Sequence, residues 1–240
     1  MENTRNTKRT VAAAMTAVAS FLFIVSLLFT SLQLSINDRA WFEREYEKFG
    51  LAAWIGISNE DSTAAVMRLV DYMEGRVGDI RLAVRENGKD VEMFNEREAE
   101  HMVDVRALYQ GWRGVRTYGA IAALALAAGA FLLRKGAFAY TLAHGFLRAA
   151  AAFGVLLAAV GAFAALDFAA FWTAFHHLFF TNDLWLLNPA TDRMIRICPE
   201  QLFSDIVLRF GAGFLIVFAA LLIVALAARS LHKARHAHGH

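Results

Sequence analysis

The chain has 240 residues, of which 58% are hydrophobic and 19% charged, with a mean hydropathy of +0.40. That is too apolar for an ordinary soluble domain and points to a membrane protein. A net charge of +2 offers no broad basic surface for nucleic acid, and a single cysteine, Cys198, excludes an internal disulfide.

Four stretches lack Asp, Glu, Lys and Arg for long enough to cross a bilayer: Thr10–Ile36, Thr117–Leu133, Ala149–Leu166 and Phe210–Ala228. A span needs roughly 17–25 apolar residues at about 1.5 Å rise each. Each must be helical, because lipid offers no partner for backbone polar groups. The first run exceeds a secretory h-region and ends in no A-x-A site, so it reads as an uncleaved anchor. Basic residues flank the N-terminus (Arg5, Lys8, Arg9), the loop between spans two and three (Arg134, Lys135, Arg148) and the tail (Arg229, Lys233, Arg235). The positive-inside rule places these three regions in the cytoplasm.

The expected organisation follows. Residues 1–36 are the cytoplasmic N-terminus and first span, and 37–116 form an extracytoplasmic cap. Residues 117–171 hold spans two and three, 172–209 form a second extracytoplasmic segment, and 210–240 are the fourth span and cytoplasmic tail. All five tryptophans, at 41, 54, 112, 172 and 185, lie in or beside the outward segments. An ordinary aromatic belt would populate both interfaces, so the excess suggests an aromatic-lined cap. The fold class expected is an all-α membrane protein with four transmembrane helices and a mostly helical cap that includes a small β-hairpin.

Within the cap, residues 41–54 place Phe42, Tyr46, Phe49 and Trp54 among charges, as in an amphipathic helix lying on the membrane. Residues 62–74 carry Val66, Leu69, Val70 and Met73 on one helical stripe, with Gly75 as the stop. Glu86-Asn87-Gly88-Lys89 between Ile80–Val84 and Val91–Phe94 predicts a hairpin. Asn95 and Glu98 have the spacing of a capping box, so a helix starts near residue 95 and carries His101, Asp104, Val105 and Leu108 on one face.

Two histidine motifs fall in the outward segments. One is His101-Met102-Val103-Asp104-Val105, the other Phe175-His176-His177-Leu178-Phe179-Phe180 followed by Asn182-Asp183-Leu184-Trp185. His101 alone reads equally as a polar residue satisfied by Asp104 one turn later. His176 and His177 alone read as interfacial histidines favoured by a helix C-terminus. Together, titratable groups among Phe175, Phe179, Phe180 and Trp185 mark an aromatic, partly dry site. Helix rise creates a conflict: counted from the hydrocarbon edge, His176 lies about 12 Å up and His101 roughly 24 Å. A helix break at Gly111-Trp112-Arg113-Gly114 is therefore expected, folding His101 down to His176.

Other features are weaker. His144 reads as structural. His232, His236, His238 and His240 read as a solvated, disordered tail. Asp167 is either an interfacial charge or a polar floor to the site. Cys198 has Arg196 beside it but no base to make a thiolate. His101, Asp104, His176 and His177 suit zinc by ligand type, yet no H-E-x-x-H occurs, nor a G-x-S-x-G, a phosphate loop or a dinucleotide fingerprint.

At the histidine motifs the chain resembles the lipoprotein intramolecular transacylase family, Lit. The resemblance continues through Asn182-Asp183-Leu184-Trp185, Pro189, Asp192 and Pro199-Glu200 and extends over nearly the whole chain. It implies an acyltransferase of the bacterial cytoplasmic membrane. Its substrate is a lipoprotein whose N-terminal cysteine carries an S-linked diacylglyceryl group. The sn-2 acyl chain moves to the α-amino group and leaves an N-acyl, S-monoacylglyceryl product. Catalytic roles fall to His101 and His176, since His177 fills a variable slot of the motif. Asp104 or Asp183 is expected to fix a tautomer, and Asn182 or a backbone N–H to stabilise the oxyanion. Met102, Trp112, Phe175, Phe179, Phe180 and Trp185 are expected around the substrate headgroup, with acyl chains left in the bilayer between spans. No cofactor, metal or nucleic acid is implied; the partners are the lipoprotein and membrane lipid. Two other classes stay open: a zinc-dependent membrane hydrolase, and a non-enzymatic membrane protein whose cap binds a partner.

Overall fold

Nine helices and one hairpin follow each other along the described residues of the computed structural model, 2–237. His238 and His240, and the side chains of Lys233, Arg235 and His236, lie outside the described residues. In chain order the elements are α1 Glu2–Ile36, α2 Arg39–Phe49, α3 Leu51–Ile55, α4 Asn59–Glu74, β1 Ala83–Glu86, β2 Lys89–Glu92, α5 Glu96–Leu133, α6 Phe138–Leu166, α7 Phe168–Phe179, α8 Met194–Ile197 and α9 Glu200–Ala237. The tail expected to be disordered is helical as far as Ala237, and His232 stacks on Tyr140 with ring centroids 4.2 Å apart.

The chain forms two compact units. One comprises α1 as far as Ser31, α5 from Gly114, α6 to Ala165, and α9 from Gly211. Its helices belong to the four that are long and apolar enough to cross a membrane. Ile24, Phe146, Phe153, Phe214 and Phe218 pack inside, while Leu124, Val155 and Ile216 are exposed. Helices apolar on their outer faces as well as their inner ones are stable only where lipid covers them. Backbones approach closely where residues are small: a Cβ on Gly145 would meet Thr16 at 2.6 Å, and the Thr16 hydroxyl donates to the Thr141 carbonyl at 3.2 Å. This is the small-residue packing that membrane helices use in place of a hydrophobic driving force.

The second unit is Leu32–Arg113 with Leu166–Phe210. Its core is made by Phe42, Tyr46, Ile57, Met93, Ile197 and Leu202. Asp38 caps α2 by accepting from the Trp41 amide at 3.1 Å, and Gly50, at φ 61°, ends it. The membrane-lying helix expected over residues 41–54 is thus broken at Gly50. Trp41, Phe42 and Tyr46 are buried in the core, and only Trp54, 71% exposed, keeps an outward face. Ser58 caps α4, and Gly75, at φ 80°, stops it as expected. The hairpin forms at the expected place, pairing Val84 with Val91. Asn87 and Gly88 take φ 50° and 82°, the left-handed pair that a two-residue hairpin turn requires.

Glu74, at the end of α4, gathers three other parts of this unit. Its carboxylate accepts from Gln33 at 2.9 Å, Asn37 at 3.0 Å and the Tyr109 hydroxyl at 2.6 Å, and meets Arg113 at 3.3 Å. These bonds pull the carboxyl below its usual range against the cost of burial.

Candidate functional site

α5 begins with a reciprocal cap. The Asn95 amide donates to the Glu98 carboxylate at 2.7 Å, and the Glu98 amide donates to the Asn95 side chain at 3.0 Å. Glu98, 1% exposed, also accepts from the Met194 amide, and Asn95 donates to Asp192 at 2.8 Å. Asp192 accepts in turn from the Asn188 amide at 2.7 Å. The start of α5 is therefore tied to the 188–194 loop before its second turn presents His101. On the other side, Asp167 breaks the chain after α6 and caps α7 by accepting from the Ala170 amide at 2.9 Å. Its role is thus a cap, and α7 is a separate helix whose last turn carries His176.

His101 and His176 come together. Their ring centroids lie 6.4 Å apart with planes 29° apart, and both rings contact Phe180, at 5.4 Å and 5.6 Å. Both are buried, at 7% and 8% exposure, whereas His177 points outward. The expected break at Gly111–Gly114 does not occur: α5 is uninterrupted from Glu96 to Leu133. The height estimate failed because it carried span three onward as one helix from a shared membrane edge. α7 is a separate helix starting at its Asp167 cap, and side-chain packing against α5 sets where His176 stands.

His176 is held by three contacts. Its Nδ1–H donates to the Trp172 carbonyl at 2.7 Å, its face stacks on Trp185 at 4.7 Å, and the edge of Trp172 lies 4.8 Å away. A carbonyl only accepts, so Nδ1 carries the proton and Nε2 keeps the lone pair. A backbone carbonyl, rather than the Asp104 or Asp183 carboxylate, thus fixes this tautomer. Asp104 instead accepts from Asn182 at 2.8 Å, which ties α5 to the 181–185 loop. Asn182 also accepts from the Leu184 amide at 3.1 Å, and the Asp183 carbonyl accepts from Arg97. His101 Nδ1 is buried with no hydrogen-bond partner.

Burial lowers the pKa of His101 to about 4, with the neighbouring His176 adding to the shift. Burial also lowers His176, partly opposed by the Trp172 carbonyl. Both imidazoles are neutral at physiological pH, which suits groups that take and return a proton.

Beside the histidines lies an apolar cavity of about 310 Å³, wholly within the second unit. Of the expected binding residues, Met102, Trp112, Phe175 and Phe180 line it. Phe179 and Trp185 do not: Phe179 packs on Trp112 at 5.8 Å, and Trp185 backs His176. Sequence reasoning missed Phe42, Val66 and Leu69 of the wall, which carried only a generic core pattern. It read Glu98 as a cap but not as a brace to Met194. Cys198 also lines the cavity, and burial pushes its thiol up to about 12. Among the described residues, no three His, Cys, Asp or Glu side chains converge as a metal site would need.

Four helices long and apolar enough to cross a membrane, and two buried histidines beside an apolar cavity, are the features of an integral membrane protein with a candidate site. The family model of the lipoprotein intramolecular transacylase Lit matches residues 17–203. The chain belongs to this family and is accordingly a membrane acyltransferase. Its fold is similar to the in meso structure of the membrane-integral Lit from Bacillus cereus, at TM-score 0.67 and 18% identity, covering 93% of this chain and 94% of that one. Two variants of the Bacillus cereus protein, with one histidine replaced by alanine or by arginine, match at TM-scores 0.63 and 0.62. Both are 18% identical and cover 93% of this chain and 92% and 91% of theirs. No curated protein matches the sequence.

Proposed function

We propose that the enzyme moves the sn-2 acyl chain of an S-diacylglyceryl cysteine lipoprotein onto that cysteine's own α-amino group, using His101 and His176 as its acid–base pair. The amine nitrogen attacks the ester carbonyl, the C–N bond forms, and the bond to the glyceryl oxygen breaks. Counted through Cα, Cβ, S and the glyceryl carbons, the cyclic intermediate has about eight atoms, so the reaction is a matter of holding a bent conformer. The proton that leaves the attacking amine passes through the histidine pair to the glyceryl oxygen, so the enzyme ends unchanged.

The observation that carries this reading is the meeting of His101 and His176 across a gap, at 6.4 Å between ring centroids, beside an apolar cavity. An α-ammonium, with a pKa of about 7.7–8.0, cannot attack until it loses a proton. The fixed Nδ1–H of His176 leaves Nε2 to take it, which supports His176 as the base. His101 then relays that proton to the glyceryl oxygen. The flanking basic residues support a multi-pass protein of the bacterial cytoplasmic membrane with this site on the extracytoplasmic side.

The test is incubation of the purified protein with a synthetic diacylglyceryl lipopeptide, followed by tandem mass spectrometry. Unchanged mass with fragment ions moved to an N-acyl cysteine is expected. Loss of a fatty acid would establish a hydrolase instead, and an untouched substrate would leave no enzymatic role.

A further inference from the structure

The cavity beside the histidines is longer than the reacting groups need. α5 lines it from His101 through Val105, Leu108 and Tyr109 to Trp112. Eleven residues of helix rise make that wall about 16 Å long. Opposite it stand Val66, Leu69, Val70 and Met73 of α4 and Phe203, Ile206 and Val207 of α9. Besides the two imidazoles, the polar side-chain groups lining it among the described residues are the Tyr109 hydroxyl, the Cys198 thiol and the indoles of Trp112 and Trp172, and Tyr109 is engaged with Glu74 at 2.6 Å. No charged side chain lines it to fix a charged headgroup or an ion.

Two turns along α5 from His101, roughly 12 Å away by helix rise, the walls draw together. Ile36, Val70 and Tyr109 form one buried cluster there, with Leu32, Met73 and Ile206 packed against it. Glu74 braces this cluster through Gln33, Asn37 and Tyr109.

We propose that this cavity receives the acyl chain being transferred, and that the cluster around Met73 and Tyr109 sets the length of chain accepted. The inference rests on the transacylase reading. In that reaction the ester carbonyl must stand between His101 and His176, so the transferred chain starts where the cavity starts. The chain therefore leaves the bilayer for the interior of the second unit. Moving it from lipid into a protein cavity brings little hydrophobic gain, because both surroundings are apolar. What the cavity contributes is position: a chain held along α5 orients its carbonyl. Length preference then comes from overpacking at that cluster. A staggered chain with bonds of about 1.5 Å advances roughly 1.3 Å per carbon, so the roughly 12 Å to the Tyr109 cluster accommodates about nine carbons straight, and longer chains must bend.

Two measurements test this. In the first, lipopeptides with sn-2 chains of eight, twelve and sixteen carbons are turned over by the wild type, Met73→Trp and Met73→Ala. The tryptophan is expected to slow the sixteen-carbon substrate at least tenfold more than the eight-carbon one, and alanine to favour the longest chain. An unchanged length profile in both variants, with eight-carbon turnover showing intact folding, overturns the proposal. In the second, a lipopeptide with a photoreactive diazirine at the end of its sn-2 chain is bound to the His101→Ala protein. Cross-links are expected in residues 32–36, 66–73 or 203–207. Labelling confined to 117–133 or 149–165 would place the chain against the membrane helices and overturn it. A wild type inactive on every lipopeptide would defeat the transacylase reading, while the cross-linking still reports on the cavity.

Discussion

The imidazole of His176 lies on the indole of Trp185, ring centroids 4.7 Å apart and planes 27° apart. No carboxylate hydrogen-bonds to this imidazole. If His176 takes the amine proton, the resulting cation is stabilised by the Trp172 carbonyl, by the C-terminal end of α7 and by the indole face. An aromatic face is worth about 0.5–2 kcal/mol to a cation in a desolvated setting, or up to about one and a half pKa units. Trp185→Leu should therefore lower the pKa on the acid limb of the pH–rate profile, with Trp185→Phe in between. An unmoved acid limb would make Trp185 a packing residue only.

His101→Ala and His176→Ala should each remove most turnover, and the double variant should be little worse than either. Groups that act as one unit lose activity non-additively. His177→Ala should be mild, since that ring faces outward. Chelators should have no effect. Activity lost to a chelator and restored by zinc would instead favour a metal-dependent enzyme.

Cys198→Ala should keep activity within a few-fold. A thiol pushed up to about 12 is not a thiolate at neutral pH. A loss of several orders of magnitude in the lipopeptide assay, with the melting temperature preserved, would point to a covalent acyl-cysteine.

Acid should destabilise the fold through the buried histidines. His101 is lowered in the folded state, so its contribution is fully present above the unfolded value of about 6.5. It is lost as pH falls towards 4, where it amounts to about 3 kcal/mol. The lowered His176 acts in the same direction. Thermal denaturation in detergent between pH 7 and 4 should show this loss, and His101→Leu should reduce it. An equal loss in the variant would assign it to other groups.

Glu98→Ala should destabilise the second unit by about 2–3 kcal/mol, because the Asn95 and Met194 amides lose their acceptor in a buried place. Glu98→Gln, which keeps one acceptor oxygen, should cost less. Melting temperatures would measure both, and a wild-type value for the alanine variant would mean that water replaces the carboxylate.

For topology, Lys89→Cys in a Cys198→Ala background places a thiol on the exposed hairpin. An impermeant maleimide should label it in intact cells. Labelling only after permeabilisation would put the site in the cytoplasm.

Much of this protein is set locally along the chain. Uncharged runs fix four lipid-compatible helices, Asn87-Gly88 fixes the hairpin, and the Asn95–Glu98 spacing fixes where α5 begins, because each depends on contacts within a few residues. The histidine motifs likewise announce their chemistry by residue type. What only tertiary structure decided is who stands beside whom. That α7 lies against α5 and brings His176 to His101, some 75 residues away along the chain, follows from packing between segments, whereas the restart at Asp167 and the Trp172 carbonyl are contacts within α7 itself. Helix rise measures distance along one element, and it carries no information about the angle at which the next one returns. The cavity is hidden from the sequence for the same reason: each of its walls reads as ordinary core until seven helices leave a space between them.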